Sequence, residues 1–155
     1  MIVSELLFPI LRTDKDFQSG VPPEQIRQCQ ELLNWAEHVV ILFPLWLGSM
    51  PALLKAFFEQ LMRPGFAFSA TLERGRPVRL LAGKSARIIV TMGMPALLYR
   101  WYFRAHGLKA LERNILGFCG IRPVRTSVIG MVESMTPMAR GNWLARVQKL
   151  GQRAQ

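Results

Sequence analysis

The apolar stretch at residues 39–62 (VVILFPLWLGSMPALLKAFFEQLM) most constrains what this chain can fold into. Its hydropathy is that of a membrane span, since Lys55 is the only charged residue before Glu59. However, Pro44 and Pro51 both fall inside the stretch, and proline interrupts a helix at each position. The stretch therefore does not predict one continuous membrane-spanning helix.

The spacing of the apolar residues changes within this stretch. Residues 39–43 form an unbroken β-branched and aromatic run, which predicts a strand buried on both faces by helices. From Pro51 onward the apolar residues recur at helical spacing, and proline suits a first helical turn; these residues are Leu54, Phe57, Phe58 and Leu61. The order is strand, loop and helix, and the loop leaves the carboxyl end of a strand, where open α/β sheets bind ligands.

The rest of the chain repeats this alternation of strands and helices. We expect strands at 2–6, 87–91 and 124–130, with 78–81 and 86–91 flanking a hairpin turn or a connecting loop at Gly83. Residues 8–22 are expected to form a loop. Helices are expected at about 22–36, at 108–118 and from Thr136 onward. Their inward residues are Ile26, Cys29, Leu33 and Ala36 in the first, Leu108, Leu111, Ile115 and Phe118 in the second, and Trp143, Val147 and Leu150 in the third. Gly120 is placed to end the helix at 108–118. This order predicts one α/β domain over residues 1–155, with a parallel sheet covered on both faces.

The charge of the chain leaves several kinds of partner open. The formal net charge is +10, which fits a solvated basic surface, a surface that attracts a phosphate-bearing nucleotide or anionic quinone, or a nucleic-acid-binding surface. No RNA- or DNA-binding motif accompanies the charge, so we expect no nucleic-acid partner. Two cysteines, Cys29 and Cys119, are too few for a disulfide framework, and no metal-ligand cluster is apparent. The first residues lack the pattern of a signal peptide, and we expect a cytoplasmic protein.

Two loops at the carboxyl ends of strands, residues 44–49 and 91–95, are predicted to face the same crevice. The first loop places Trp46 between Leu45 and Leu47, and it offers backbone amides beside an apolar surface. A flat aromatic heterocycle such as a flavin needs apolar faces to stack on and hydrogen-bonding groups around its rim. The alternative is that Trp46 only fills the top of the sheet, as tryptophan often does.

Several segments together resemble one family of flavoproteins. FPLWLGSMPALLKAFFEQLMRPGFAF, IIVTMGMPALLY, ILGFCGIRPV and TPMAR resemble segments of the flavodoxin-like NAD(P)H:quinone oxidoreductases, of the DT-diaphorase and modulator-of-drug-activity type. The likeness covers nearly the whole chain, and the first segment is the most specific. It implies a flavodoxin-like three-layer sandwich, FAD or FMN as cofactor, NAD(P)H as co-substrate, a quinone-like acceptor and a homodimer.

The resemblance also assigns roles to particular residues. The flavin ring would lie against Pro44, Leu45, Trp46 and Leu47, with its pyrimidine side lined by Thr91, Met92 and Gly93. Tyr99 and His106 resemble a pair that accepts charge as hydride moves, although His106 is one residue out of register and a helix-junction hydrogen bond is an equal alternative. The segment containing Gly65, Phe66 and Phe68 resembles the part that reaches toward a partner's flavin. Phe68 and Ala70 stand where many relatives carry tyrosines, which leaves the substrate preference open.

The front of the chain departs from the resemblance. Relatives begin with an additional strand, a phosphate-binding loop and a helix, and residues 1–6 match their second strand. We therefore expect an N-terminally truncated version of the fold, with weak flavin retention and an exposed strand edge that favours self-association. The leading hypothesis is a flavin-dependent NAD(P)H:quinone oxidoreductase. The alternatives are a non-catalytic regulatory subunit of a membrane transport system and, third, a basic nucleic-acid-binding module.

Overall fold

The computed structural model describes residues 1–73 and 75–153. A single 3-10 turn occupies Val3–Glu5. In chain order the helices and strands are α1 (Asp14–Ser19), α2 (Glu24–Trp35), β1 (His38–Pro44), α3 (Ala52–Leu61), β2 (Phe68–Glu73), β3 (Arg76–Arg79), β4 (Ser85–Thr91), α4 (Ala96–Trp101), α5 (His106–Lys109), a π-helical segment (Ala110–Leu116), α6 (Gly117–Cys119), β5 (Val124–Ile129) and α7 (Pro137–Gln152). No helix within the described residues is both long enough and apolar enough to cross a membrane.

The main sheet contains three parallel strands in the order β1, β4, β5. The central strand β4 is buried from Ala86 to Val90, because it is paired on both sides and covered on both faces. The predicted α/β architecture with parallel strands is therefore confirmed. The predicted strands at 87–91 and 124–130 correspond to β4 and β5.

The two faces of the sheet are covered unequally. One face carries the hydrophobic core, in which α2 and α3 bury the predicted residues Ile26, Cys29, Leu33, Leu54, Phe57, Phe58 and Leu61. The other face is covered by α7, which begins at the predicted Thr136 cap, where the hydroxyl accepts a hydrogen bond from the Ala139 N–H. Trp143, Val147 and Leu150 of α7 are only half-buried, so this second layer is thinner than the first.

The prediction that residues 39–43 are buried on both faces is wrong. In β1, Ile41 and Phe43 are buried, whereas Val40 and Leu42 are 56% and 66% exposed. In the described part of the chain β1 pairs only with β4, so it is an edge strand. The face that carries Val40 and Leu42 is only partly covered by α7, since Val40 lines a pocket with Val147 and Leu150 and is still 56% exposed.

The predicted strand at residues 2–6 is also wrong. The segment makes only the local bonds of its 3-10 turn, in which the N–H of Leu6 donates to the carbonyl of Val3 at 3.2 Å. A strand needs a neighbouring strand for its backbone groups, and none lies beside this segment among the described residues.

Two further segments, residues 8–22 and the region around Gly83, differ in detail from the expected structure. Residues 8–22 contain the short helix α1, which is held by a reciprocal capping box between Thr13 and Asp16. Strands β2 and β3 form an antiparallel hairpin outside the main sheet, so the segment at Gly83 is the connecting loop into β4.

The π-helical segment changes which residues of the helix predicted at 108–118 face the core. There the Gly117 N–H donates to the Glu112 carbonyl, five residues earlier, which widens the turn. Leu116 and Cys119 are consequently buried, whereas the predicted Ile115 is half-buried and Phe118 is exposed. Gly120, at φ 101°, ends the helix as predicted.

Candidate functional site

The loop between β1 and α3 is a tight turn that presents its apolar residues to solvent. Trp46 and Ser49 exchange two backbone hydrogen bonds of 2.9 Å each. Leu47 and Gly48, between them, both have positive φ angles. Trp46 is 62% exposed and Leu47 is fully exposed. The alternative that Trp46 only fills the top of the sheet is therefore wrong, because its ring lies largely outside the core.

The first and second loops lie side by side, as predicted. Pro44 and Thr91 are paired in register at the ends of β1 and β4. The Leu45 N–H then continues the pairing by donating to the Thr91 carbonyl at 2.8 Å. Met92 is buried, so its side chain belongs to the core, whereas Gly93 is exposed at the mouth of the crevice. This pairing fixes the relative position of the predicted residues 44–47 and 91–93.

A third loop, residues 130–135 after β5, joins the same site and was missed by the sequence analysis. The N–H groups of Met131 and Val132 donate to the carbonyls of Met94 and Met92, each at 3.2 Å. A Cβ built on Gly93 would lie 3.6 Å from a carboxylate oxygen of Glu133. The signal for this loop was available, since it also follows the carboxyl end of a parallel strand.

Tyr99 is buried beneath the first loop and connects it to two helices. Its side chain is 1% exposed; its hydroxyl accepts a hydrogen bond from the Leu108 N–H at 3.2 Å and donates to the Gly48 carbonyl at 3.4 Å. Burial raises the pKa of Tyr99, and the bond from Leu108 opposes that rise. The hydroxyl is therefore placed to hold the loop in position, and its predicted role in accepting charge as hydride moves stays a prediction.

His106 is exposed at the start of α5, next to a close backbone contact with the first loop. A Cβ built on the adjacent Gly107 would lie only 2.3 Å from the Gly48 carbonyl oxygen and 2.7 Å from Cα of Ser49. Glycine is required there by the approach of the two backbones. The structure thus brings His106 to the border of the loop, and its role in catalysis stays a prediction.

Backbone strain is concentrated around these loops. Within the described residues, the non-glycine residues with positive φ are Leu47, Arg104, Ala105 and Met131, at 47°, 52°, 50° and 57°. Leu47 belongs to the first loop and Met131 to the third, and the other two precede His106. Such conformations cost on the order of 1–3 kcal/mol each, and they cluster at active sites and ligand-binding loops.

The surface formed by the three loops fits a flavin ring. Trp46 and Leu47 expose apolar surface. The N–H groups of Leu47, Gly48, Gly93 and Met94 donate to no acceptor in the described part of the chain. A ring of this kind needs that combination of stacking surface and free donors. No strand precedes α2 among the described residues.

Gly65, Phe66 and Phe68 lie in a different part of the molecule. The Gly65 N–H donates to the Phe68 carbonyl at 2.7 Å, and Phe66 packs against the core. The ring of Phe68 contacts that of Phe118 edge-on, 5.0 Å between centroids, in a pocket that contains no residue of the three loops. Their predicted role toward a partner's flavin stays a prediction. The described residues contain no group of three or more His, Cys, Asp or Glu side chains able to hold a metal ion.

Comparisons with known proteins identify similar sequences and a similar fold. The sequence profile of the family described as "Flavodoxin-like fold" matches residues 3–150. An uncharacterized NAD(P)H oxidoreductase of Haemophilus influenzae is 27% identical over 135 residues, covering 85% of this chain and 66% of that protein. FMN-dependent NADH:quinone oxidoreductase 1 of Hahella chejuensis is 39% identical over 95 residues, covering 61% and 43% respectively.

A solved structure shows the same fold. The crystal structure of Smu.1420 from Streptococcus mutans superposes with a TM-score of 0.74 at 28% identity, covering 94% of this chain and 73% of that one. The chain thus spans 66% and 43% of the two curated relatives' own lengths.

Proposed function

The chain belongs to the flavodoxin-like fold family, and from that premise we propose that it is a flavin-dependent NAD(P)H:quinone oxidoreductase. The observation that carries the proposal is the pairing of the first two loops through the Leu45 N–H and the Thr91 carbonyl. That bond sets an exposed tryptophan beside free backbone donors at the carboxyl ends of two parallel strands. The names of the Haemophilus influenzae and Hahella chejuensis relatives support the same reaction class.

We assign the ring-holding role to the backbone and apolar side chains of the first two loops. Trp46 and Leu47 supply the stacking surface, and the N–H groups of Gly93 and Met94 supply donors for the ring's oxygen and nitrogen atoms. A bound flavin would supply the chemistry itself, since it accepts a hydride from NAD(P)H and passes it to a quinone. Donors fixed toward the electron-rich reduced ring favour its formation.

Two further residues have supporting roles in the proposed site: one holds the first loop in place, and the other balances charge during hydride transfer. Tyr99 acts as a positioning residue, because its hydroxyl reaches only Gly48 and Leu108 in the described structure. His106, exposed beside the first loop, is our candidate for balancing charge as the hydride moves.

We choose FMN over FAD as cofactor and the cytoplasm as location. The Hahella chejuensis relative is named as FMN-dependent. Both cysteines, Cys29 and Cys119, are free and buried, which suits a reducing compartment that also contains NAD(P)H.

The test is a titration of the purified chain with FMN, in which binding is measured by the quenching of flavin fluorescence. Trp46→Ala should weaken FMN binding, because it removes the exposed stacking surface. Trp35→Ala is the matched control, since Trp35 is also exposed but lies at the end of α2, outside the three loops. Equal effects of the two substitutions would refute the assigned site. Saturable FMN binding without NADH-dependent quinone reduction would instead favour the non-catalytic regulatory subunit.

A further inference from the structure

The third loop, residues 130–135, is held firmly against the second loop. Two of its N–H groups donate to carbonyls of the second loop, each at 3.2 Å. A Cβ built on Gly130 would lie only 2.5 Å from the Ala96 nitrogen and 2.7 Å from the Met94 carbonyl oxygen. Only glycine permits so close an approach of two backbones. These contacts fix the backbone of the third loop relative to the second.

Glu133 of the third loop carries a carboxylate that lies beside Gly93 of the second loop. Its two oxygens would be 3.6 and 3.9 Å from a Cβ built on Gly93. The Glu133 side chain is exposed, and it makes no hydrogen bond or ion pair with the described residues, although the chain contains 20 lysines and arginines. An unpaired carboxylate is therefore held at the mouth of the crevice.

The pyrimidine edge of a flavin ring needs both donors and one acceptor. It carries two carbonyl oxygens with the N3–H between them, and the free N–H groups of Gly93 and Met94 suit the oxygens. Four of the five carbonyls in the second loop already accept a backbone hydrogen bond; they are those of Thr91, Met92, Met94 and Pro95. Of the acceptors that remain there, the Gly93 carbonyl is neutral, whereas the Glu133 carboxylate is charged and forms the stronger hydrogen bond.

We propose that Glu133 recognises the pyrimidine edge of the bound flavin, with its carboxylate accepting the hydrogen bond from N3–H. This inference rests on the proposed function, because it requires a flavin ring in the first two loops. Glu133 is then a specificity-determining residue, since it favours rings that carry a donor at this position over rings that do not. Its negative charge also opposes electron uptake by the ring, so Glu133 lowers the midpoint potential of the bound flavin.

The test compares FMN with its N3-methyl analogue, in which a methyl group replaces the N3 hydrogen. The wild type should bind FMN about tenfold or more tightly than the analogue, and Glu133→Ala should reduce this preference to about threefold or less. Both flavins carry the same phosphate, so its repulsion from Glu133 cancels in the ratio of the two dissociation constants. Glu37→Ala is the matched control and should keep the wild-type preference, because Glu37 is also exposed but precedes β1, at the opposite end of the sheet from the loops.

The outcomes separate this inference from the proposed function. Equal preferences in the wild type and Glu133→Ala, with FMN still bound, overturn the role of Glu133 and leave the proposed function intact. A wild type that binds neither flavin overturns the proposed function and this inference with it. The second measurement is the midpoint potential of bound FMN, which should rise in Glu133→Gln, where an acceptor oxygen remains without the charge, and should stay the same in Glu37→Ala. An unchanged potential in Glu133→Gln also overturns the proposal.

Discussion

Gly107→Ala should push the first loop out of position. The new Cβ would lie 2.3 Å from the Gly48 carbonyl oxygen, whereas ordinary van der Waals contact begins near 3.4 Å. The loop or the helix must therefore shift by about 1 Å. Overpacking of this kind costs about 1–3 kcal/mol of the free energy of unfolding. Alanine in a helix offsets about 0.5–1 kcal/mol of that cost, so the net loss is roughly 0–2.5 kcal/mol.

Gly141→Ala is the matched control for this measurement. Gly141 lies inside α7, and a Cβ there meets nothing within 4 Å, so only the helical gain of about 0.5–1 kcal/mol remains. Urea unfolding of both variants isolates the steric cost as their difference, about 1–3 kcal/mol. FMN affinity should fall in Gly107→Ala only. If the two variants have the same stability, the close packing of Gly107 on the loop is refuted.

Three further predictions follow from buried groups. Tyr99→Phe leaves the N–H of Leu108 without its acceptor and should lower the free energy of unfolding by about 1–3 kcal/mol; unchanged urea stability with a lower kcat would instead give the hydroxyl a catalytic role. Burial, followed by the charges of Arg87 and Arg125, lowers the pKa of His38. Because unfolded His38 then binds its proton more tightly, stability should fall as pH drops through about 6.5. Urea midpoints at pH 7.5 and pH 5 should differ less in His38→Gln, and an equal difference would contradict this. Burial raises the pKa of the Cys119 thiol to about 12, so a thiol reagent should label it only after unfolding; rapid labelling of the native chain would disagree.

The central part of the fold was readable from the sequence because local pattern and tertiary role agree there. The change of spacing at Pro51 separated β1 from α3 to within a residue or two. The adjacency of the loops at Trp46 and Met92 followed from the parallel order of the strands. Each of these signals depends on a few neighbouring residues and on one general rule of sheet geometry.

The errors occurred where structure depends on distant neighbours. Residues 2–6 have the composition of a strand, but strand formation requires a partner edge, which the sequence pattern does not contain. For the same reason, the apolar run of β1 did not reveal that Val40 and Leu42 lie on a face that is only partly covered.

The local sequence pattern also could not predict which residues of a helix face inward or which backbone segments touch. A π-helical turn at 110–116 changes which residues face inward, so Leu116 is buried where Ile115 was expected to be. The contact of Gly107 with Gly48 joins residues far apart in sequence, and nothing in a lone glycine signals such an approach. The third loop was different, because its position after β5 would have identified it.

The most direct test of the proposed function is an anaerobic redox cycle on the FMN-loaded chain. We expect NADH to bleach the visible flavin band, and a quinone added afterwards to restore it with reduction of one quinone per flavin. The FMN-loaded Trp35→Ala variant should behave in the same way, whereas Trp46→Ala should bind less FMN and show a smaller change. A chain that binds FMN in the first two loops but whose band neither NADH nor NADPH bleaches would contradict the account.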